Sequence, residues 1–208
     1  MKKYNDIEQG SPEWHQLRKG KVTGTYLKAI MGTPAKRQDA IYEIIAERLT
    51  VGVEEEVEYE NPMARGNRLE PDAIAAFELE TNKQVERTGF CEDETNPLIA
   101  NSPDGYIEET NDTEAVETKC PGGKNYVKMW LTNTVPEEYE WQVVQYFIVN
   151  DKLAKLYFVG YRPEISIHPI HIIVVTREEI EIKIADARKK QEAFLQEVES
   201  ILSTLIKL

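Results

Sequence analysis

Residues 85–175 break into short segments rich in β-branched and aromatic side chains, separated by Gly, Pro, Asn and Asp, and this pattern sets the fold class. Strands are expected at 85–91, 98–101, 105–108 and 114–120, then at 156–161 and 167–175. Between the fourth and fifth, residues 136–149 read as a helix that is apolar on most sides and therefore buried. Upstream, Asn61-Pro62 places an N-cap before a proline at the first helical position, and Ile74, Phe77, Glu78 and Thr81 carry that helix towards Asn82. A long amphipathic helix over 178–208 closes the chain. Helices, then mostly hairpin-linked strands, then helices again predict a layered α/β domain. With 208 residues, 41% of them hydrophobic, the chain is long enough for one substantial core. It carries no internal repeat and no low-complexity linker.

The net charge is -12, which argues against general affinity for nucleic acid, because binding phosphates needs a positive footprint. The charge is uneven, however. Residues 11–37 hold six bases (Arg18, Lys19, Lys21, Lys28, Lys36, Arg37) against Glu13 alone. Residues 43–60 reverse the sign with seven Glu against Arg48, and their EEEVEYE run is expected on the outer surface. A second basic island, 119–135, has three lysines and no acid. Two cysteines, Cys91 and Cys120, cannot build a four-thiolate cluster and point to a reducing cytoplasm. No apolar run is long enough to span a bilayer.

The chemistry concentrates in Ser102-Pro103-Asp104-Gly105 and, thirteen residues after Asp104, Glu117-Thr118-Lys119. On a strand alternate side chains share a face, so Glu117 and Lys119 emerge together. If the strand after Asp104 returns through a turn near Asn111-Asp112, Asp104 lies close to Glu117 across the ladder. Two carboxylates and an ammonium then surround one point, a donor set suited to Mg²⁺-assisted phosphodiester hydrolysis. Either motif alone reads more simply as a turn or as an exposed ion pair. Gln142 alone reads as a core amide, Glu70 as a first-turn glutamate, Arg18 as part of a solvated face and Trp14 as a packing anchor. His168 and His171, three apart on a strand, face opposite ways and are assigned no chemistry.

SPDG followed by E-x-K resembles the PD-(D/E)xK nuclease motif, and further segments narrow the resemblance to the YqaJ-like viral recombinase family of lambda-type exonucleases. WHQLRKGKVTGT at 14–25 is similar to that family's W-x-x-x-R-x-G-x-(I/V)-T-(A/G)-(S/T) signature. ARGNRLEPDAIAAFE at 64–78 resembles its glycine-then-glutamate helix, and YEWQV at 139–143 its Y-x-x-Q-V element. Three positions depart from the pattern: Thr25 stands for a serine, Val144 for a frequent second glutamine, and Pro71 follows Glu70.

The resemblance implies a restriction-endonuclease-like core, a mixed central β-sheet flanked by helices, in a single nuclease domain of core 11–176 and C-terminal helix 177–208. It also implies catalytic roles for Glu70, Asp104, Glu117 and Lys119. Asp104, Glu117, the Thr118 backbone carbonyl and Glu70, directly or through water, would hold Mg²⁺, for which Mn²⁺ can substitute. Arg18, Thr25, Ser102 and Gln142 would grip the 5′-phosphate of the strand being degraded, as a guanidinium with hydroxyl and amide donors can. The expected activity is a duplex-DNA exonuclease working 5′ to 3′ and leaving a 3′ overhang for recombination. A homotrimeric ring, a single-strand annealing protein and a bacterial or phage-infected cytoplasm follow from the same resemblance. Three other readings compete with it. They are a RecB-like or Cas4-like nuclease acting on single strands, a non-catalytic DNA-end-binding module of the same fold, and a metal-independent hydrolase with Ser102 as nucleophile.

Overall fold

A computed structural model describes residues 1–49 and 62–206. The expected N-cap Asn61, the EEEVEYE run and the last two residues lie outside them. The chain runs β1 (Lys2–Tyr4), α1 (Pro12–Arg18), α2 (Gly24–Ile30), α3 (Pro34–Leu49), α4 (Pro62–Thr81), β2 (Val85–Glu86), β3 (Phe90–Glu92), β4 (Ala100–Asn101), β5 (Gly105–Ile107) and β6 (Glu114–Lys119). It continues through α5 (Gly123–Thr132), a short 3-10 turn (Glu137–Tyr139), α6 (Glu140–Val149), β7 (Lys155–Tyr161), β8 (Ile170–Thr176) and α7 (Arg177–Leu205).

Five strands form the central sheet in the order β2-β5-β6-β7-β8. All neighbours are antiparallel except β6 and β7, which run parallel with α5 and α6 crossing between them, so the sheet is mixed. Alternation along β6 divides the core. Val116 points to one face and packs with Ile107, Tyr157, Val159 and Phe77 of α4. Ala115 points to the other, into the larger cluster with Tyr106, Phe158 and the buried residues of α2, α3, α5, α6 and α7. Thus α4 covers one face and the remaining packed helices the other, as a layered α/β fold requires.

Several expected boundaries shift for identifiable reasons. The stretch 85–91 is two strands, because the chain leaves the central sheet after Glu86 and joins a second, three-stranded sheet, β1-β3-β4, at Phe90. Gly89 allows this crossing: a Cβ there would lie 1.7 Å from the Ile7 carbonyl oxygen. The helix expected over 136–149 opens as a 3-10 turn and becomes α only at Glu140. The terminal helix starts at Arg177, where Thr176 and Glu179 form a capping box. Among the described residues no helix is long and apolar enough to cross a membrane.

Candidate active site

The β5–β6 hairpin places the carboxylates. Its turn uses positive φ at Glu109, Asn111 and Asp112, and its register pairs Gly105 with Val116. Asp104 therefore falls opposite Glu117, one step beyond the last ladder pair, as the spacing predicts. Gly105 is a strand residue rather than a turn residue. A Cβ there would come within 2.3 Å of Val85 Cγ1 and 2.9 Å of the Glu86 carbonyl, so glycine lets β2 close against the strand that carries Asp104.

Both carboxylates are buried, Asp104 at 8% and Glu117 at 4% exposure. Asp104 Oδ2 accepts from the Thr118 N–H at 2.7 Å and the Thr118 hydroxyl at 2.9 Å. Among the described residues Oδ1 accepts no hydrogen bond. A strand residue's N–H and C=O leave by the same edge, so the Thr118 carbonyl also lies on the Asp104 side. Glu117 Oε1 pairs with the Lys119 ammonium at 2.5 Å, and Lys119 Nζ sits 5.5 Å from the Tyr139 ring centroid. Burial, and then the Glu117 charge, push the Asp104 carboxyl well above the ordinary carboxylate range; Lys119 pulls the other way and Glu70 adds to the rise. Burial opposes the charge on Lys119, but Glu117 and Asp104 outweigh it and hold the ammonium protonated.

Tyr146, which sequence reasoning missed, joins the two carboxylate strands. Its hydroxyl accepts the Asp104 N–H at 3.1 Å and donates to Glu117 Oε2, with the Val116 carbonyl 3.3 Å away. The available signal was general: a tyrosine on a buried helix needs a partner for its hydroxyl.

Glu70 reaches the site from α4, on the opposite layer, and acts on Asp104 through its charge. Its Oε1 is engaged by Arg87, a partner the sequence did not indicate. No three Asp, Glu, His or Cys side chains converge as a ligand set among the described residues. The donors present nevertheless fit Mg²⁺. Two carboxylates and a carbonyl are oxygen ligands, this ion keeps several waters, and a carboxyl strained by a neighbouring like charge is relieved by a cation.

The second half of the site lies beside Ser102. Its hydroxyl accepts from the Trp14 indole N–H at 3.0 Å and from Arg18 at 3.5 Å, and the Arg18 guanidinium lies 4.9 Å from the Trp14 ring centroid. Trp14 is thus a tether for Ser102 and a face for the Arg18 guanidinium. Thr25 is exposed on the first turn of α2, beside Gly24. A Cβ at Gly24 would lie 3.1 Å from Gln142 Cα and Cγ, so this glycine lets α6 approach and brings Gln142 to the same corner. Gln142 Oε1 is buried without a partner. The core-amide role belongs to Gln145, whose Nε2 donates to the Val22 and Ala100 carbonyls.

Two other expectations change. Glu47, expected on the outer surface, instead bonds Gly20 and Tyr26. His168 precedes β8, so it and His171 do not share a strand. Their ring nitrogens meet at 3.2 Å, and Trp130 stacks on His168 at 4.1 Å.

A family model described as the YqaJ-like viral recombinase domain matches residues 13–153. No match was found among curated proteins. Among solved structures, an alkaline exonuclease from Laribacter hongkongensis is 28% identical, with 95% of this chain and 97% of that one covered at a TM-score of 0.83. Its complex with dAMP matches equally well. A phage-related exonuclease from Haemophilus somnus, 17% identical over 93% of this chain and 98% of that one, shares the fold at a TM-score of 0.60.

Proposed function

The chain belongs to the YqaJ-like viral recombinase family, and from that premise we propose that it is a Mg²⁺-dependent exonuclease that engages duplex DNA ends. It degrades one strand 5′ to 3′ and leaves a 3′ overhang for single-strand annealing. The observation that carries the reading is the convergence of Asp104, Glu117 and Lys119 two residues from the Arg18–Ser102 pair. The likeness to an alkaline exonuclease over nearly the whole chain supports it, and the dAMP bound to that relative is the kind of product such an enzyme releases.

Asp104, Glu117 and the Thr118 carbonyl would hold Mg²⁺, or Mn²⁺ in its place, with Glu70 joining directly or through water. The ion supplies Lewis-acid stabilisation and an acidified water. Lys119, kept protonated, offsets charge developing on the scissile phosphate. Tyr146 orients Glu117 by donating to Oε2, which leaves Oε1 directed at Lys119. Arg18, Thr25, Ser102 and Gln142 receive the terminal 5′-phosphate and so set which nucleotide reaches the carboxylates. A pure end-binding module has no use for two buried carboxylates facing phosphate. Ser102 as a nucleophile lacks a base, since its partners are Trp14 and Arg18.

The whole chain acts as one nuclease domain in the cytoplasm of a bacterium or phage-infected cell, as a ring of three subunits working with a single-strand annealing protein. Light scattering tests the ring: three chains of 23.9 kDa are expected together, and a monomer at working concentration would overturn it.

The decisive test uses linear duplex with a labelled, 5′-phosphorylated strand, incubated with and without Mg²⁺ beside Lys119→Ala. Metal-dependent release of nucleotides by the wild type, lost in the variant, is expected. Release without metal, or undiminished release by Lys119→Ala, would sink the assignment.

A further inference from the structure

We propose that Glu47 is a positioning residue for the terminal-phosphate pocket: its single carboxylate, reaching in from α3, fixes the spacing between Arg18 and Thr25 and so sets the discrimination between 5′-phosphorylated and 5′-hydroxyl ends. The inference rests on the reading of Arg18, Thr25, Ser102 and Gln142 as the phosphate cradle.

Arg18 is the last residue of α1 and Thr25 the second of α2, so their separation depends on how the six residues between them fold. That link turns at Gly20, which is buried with φ +71. Glu47 Oε2 accepts the Gly20 N–H at 2.6 Å, and Glu47 Oε1 accepts the Tyr26 hydroxyl at 2.6 Å. One carboxylate thus grips the chain two residues after Arg18 and one residue after Thr25. The next residue of α3 completes the hold, since Arg48 Nε donates to the Gly20 carbonyl at 2.9 Å and Arg48 pairs with Glu199 of α7. A Cβ at Gly20 would fall 2.5 Å from Arg48 Cγ, so arginine and turn are in direct contact.

A glutamate with no such task would turn to solvent from an exposed helix face, whereas this one spends both oxygens on a neighbouring turn and helix. Charge-assisted bonds to both sides of a short link fix distance better than packing alone. Burial and Glu47 hold the Tyr26 hydroxyl in its donor form, and Arg18 opposes them, so the guanidinium lies within electrostatic reach of the clamp.

The test measures kcat/KM of the Mg²⁺-loaded enzyme on linear duplexes with 5′-phosphoryl and 5′-hydroxyl ends, for the wild type, Glu47→Gln, Glu47→Asp, Tyr26→Phe and Arg18→Ala. Glu47→Gln keeps the shape but removes the charge, and its amide either sets an N–H against Gly20 or turns the Tyr26 hydroxyl from donor to acceptor. It is expected to lower the phosphoryl-to-hydroxyl ratio by roughly tenfold, the worth of one hydrogen bond to a charged group, chiefly through KM of the phosphorylated end. Tyr26→Phe should lower the ratio in the same direction, and Glu47→Asp, which keeps the charge, should recover part of it. A purely structural role would depress both substrates together and leave the ratio unchanged. Unchanged ratios in Glu47→Gln and Tyr26→Phe, with a collapsed ratio in Arg18→Ala, overturn the role of Glu47 alone. An unchanged ratio in Arg18→Ala overturns the pocket itself. Should Glu47→Gln fail to fold, Tyr26→Phe decides, because it leaves the Gly20 bond in place.

Discussion

A single oxygen, that of Tyr146, is bonded to both strands that supply carboxylates, and removing it leaves Glu117 Oε2 buried without its donor. Tyr146→Phe is therefore expected to destabilise the fold by about 1–3 kcal/mol and to lower kcat, because Glu117 is then free to turn towards Lys119 alone. Denaturant unfolding beside single-turnover hydrolysis measures both, and unaltered hydrolysis would show that Glu117 needs no such orientation. Arg87 acts the other way. It draws the Glu70 carboxylate aside, so Arg87→Ala should lower the Mg²⁺ concentration for half-maximal activity by up to about fivefold, the worth of one partly exposed ion pair. A metal titration that does not move would place Glu70 outside the cation's surroundings. Asp104, Glu117 and Lys119 were legible in the sequence because strand periodicity and one hairpin bring them together. Tyr146 and Arg87 were not, since their roles depend on how α6 and the β2–β3 link lie against that hairpin. Gln142 and Gln145, three residues apart on one helix, are alike in the sequence and differ only in the fold, where α2 packs on the first and the Val22 and Ala100 carbonyls bind the second.

At the scale of elements, close approach of backbones decides what side-chain pattern leaves open. Residues 85–91 have a uniform strand composition, yet they serve two sheets, because packing against Ile7 and against Gly105 pulls the two ends apart. Gly105→Ala should force β2 away from β5 and cost about 1–3 kcal/mol by overpacking, with activity falling alongside because Asp104 is the adjoining residue. Thermal unfolding checks it, and a neutral effect would mean β2 contributes little to the site. The docking of α5 against the turn before β8 carries a pH dependence. His171 Nε2 meets Asn133 Oδ1 at 3.0 Å, so its N–H points there and Nδ1 is left to accept from His168. Burial, then the neighbouring His168, lower the His171 pKa from 6.5. An imidazole held more readily neutral in the fold than in the unfolded chain stabilises fully above pH 6.5 and loses that contribution as pH falls below it. Unfolding temperatures measured downward from neutral pH should therefore drop more steeply for the wild type than for His171→Gln. Parallel curves would show that the pair does not sense protons.

For the whole molecule, the charge of -12 and a DNA substrate are reconciled by where the charges go. The basic stretch 11–37 looks like a DNA footprint in the sequence, but in the fold Lys21 is paired with Glu92 and Arg37 with Glu197, while Lys28 reaches the Glu138 carbonyl. The lysines of α5, Lys124 and Lys128, are exposed and follow directly from the strand that carries Lys119. Among the described residues three of the six bases of 11–37 are thus engaged within the fold, and the attraction that counterion release supplies to basic proteins is correspondingly reduced. On the proposed function, recognition would fall to two charged features of a DNA end, a terminal phosphate at Arg18 and a scissile phosphate at the carboxylates through a divalent ion. A covalently closed circular duplex, which has neither a terminal phosphate nor an end to thread, should compete at least about tenfold less well than linear duplex of the same sequence at moderate salt, in Ca²⁺ to suppress cleavage. Raising salt should weaken the circle's binding with a shallow slope, because few phosphates are neutralised along its length. Equal competition by circle and line, or a steep slope, would mean that the flank of the duplex is gripped after all, and that Lys21 and Arg37 release their carboxylates when DNA arrives.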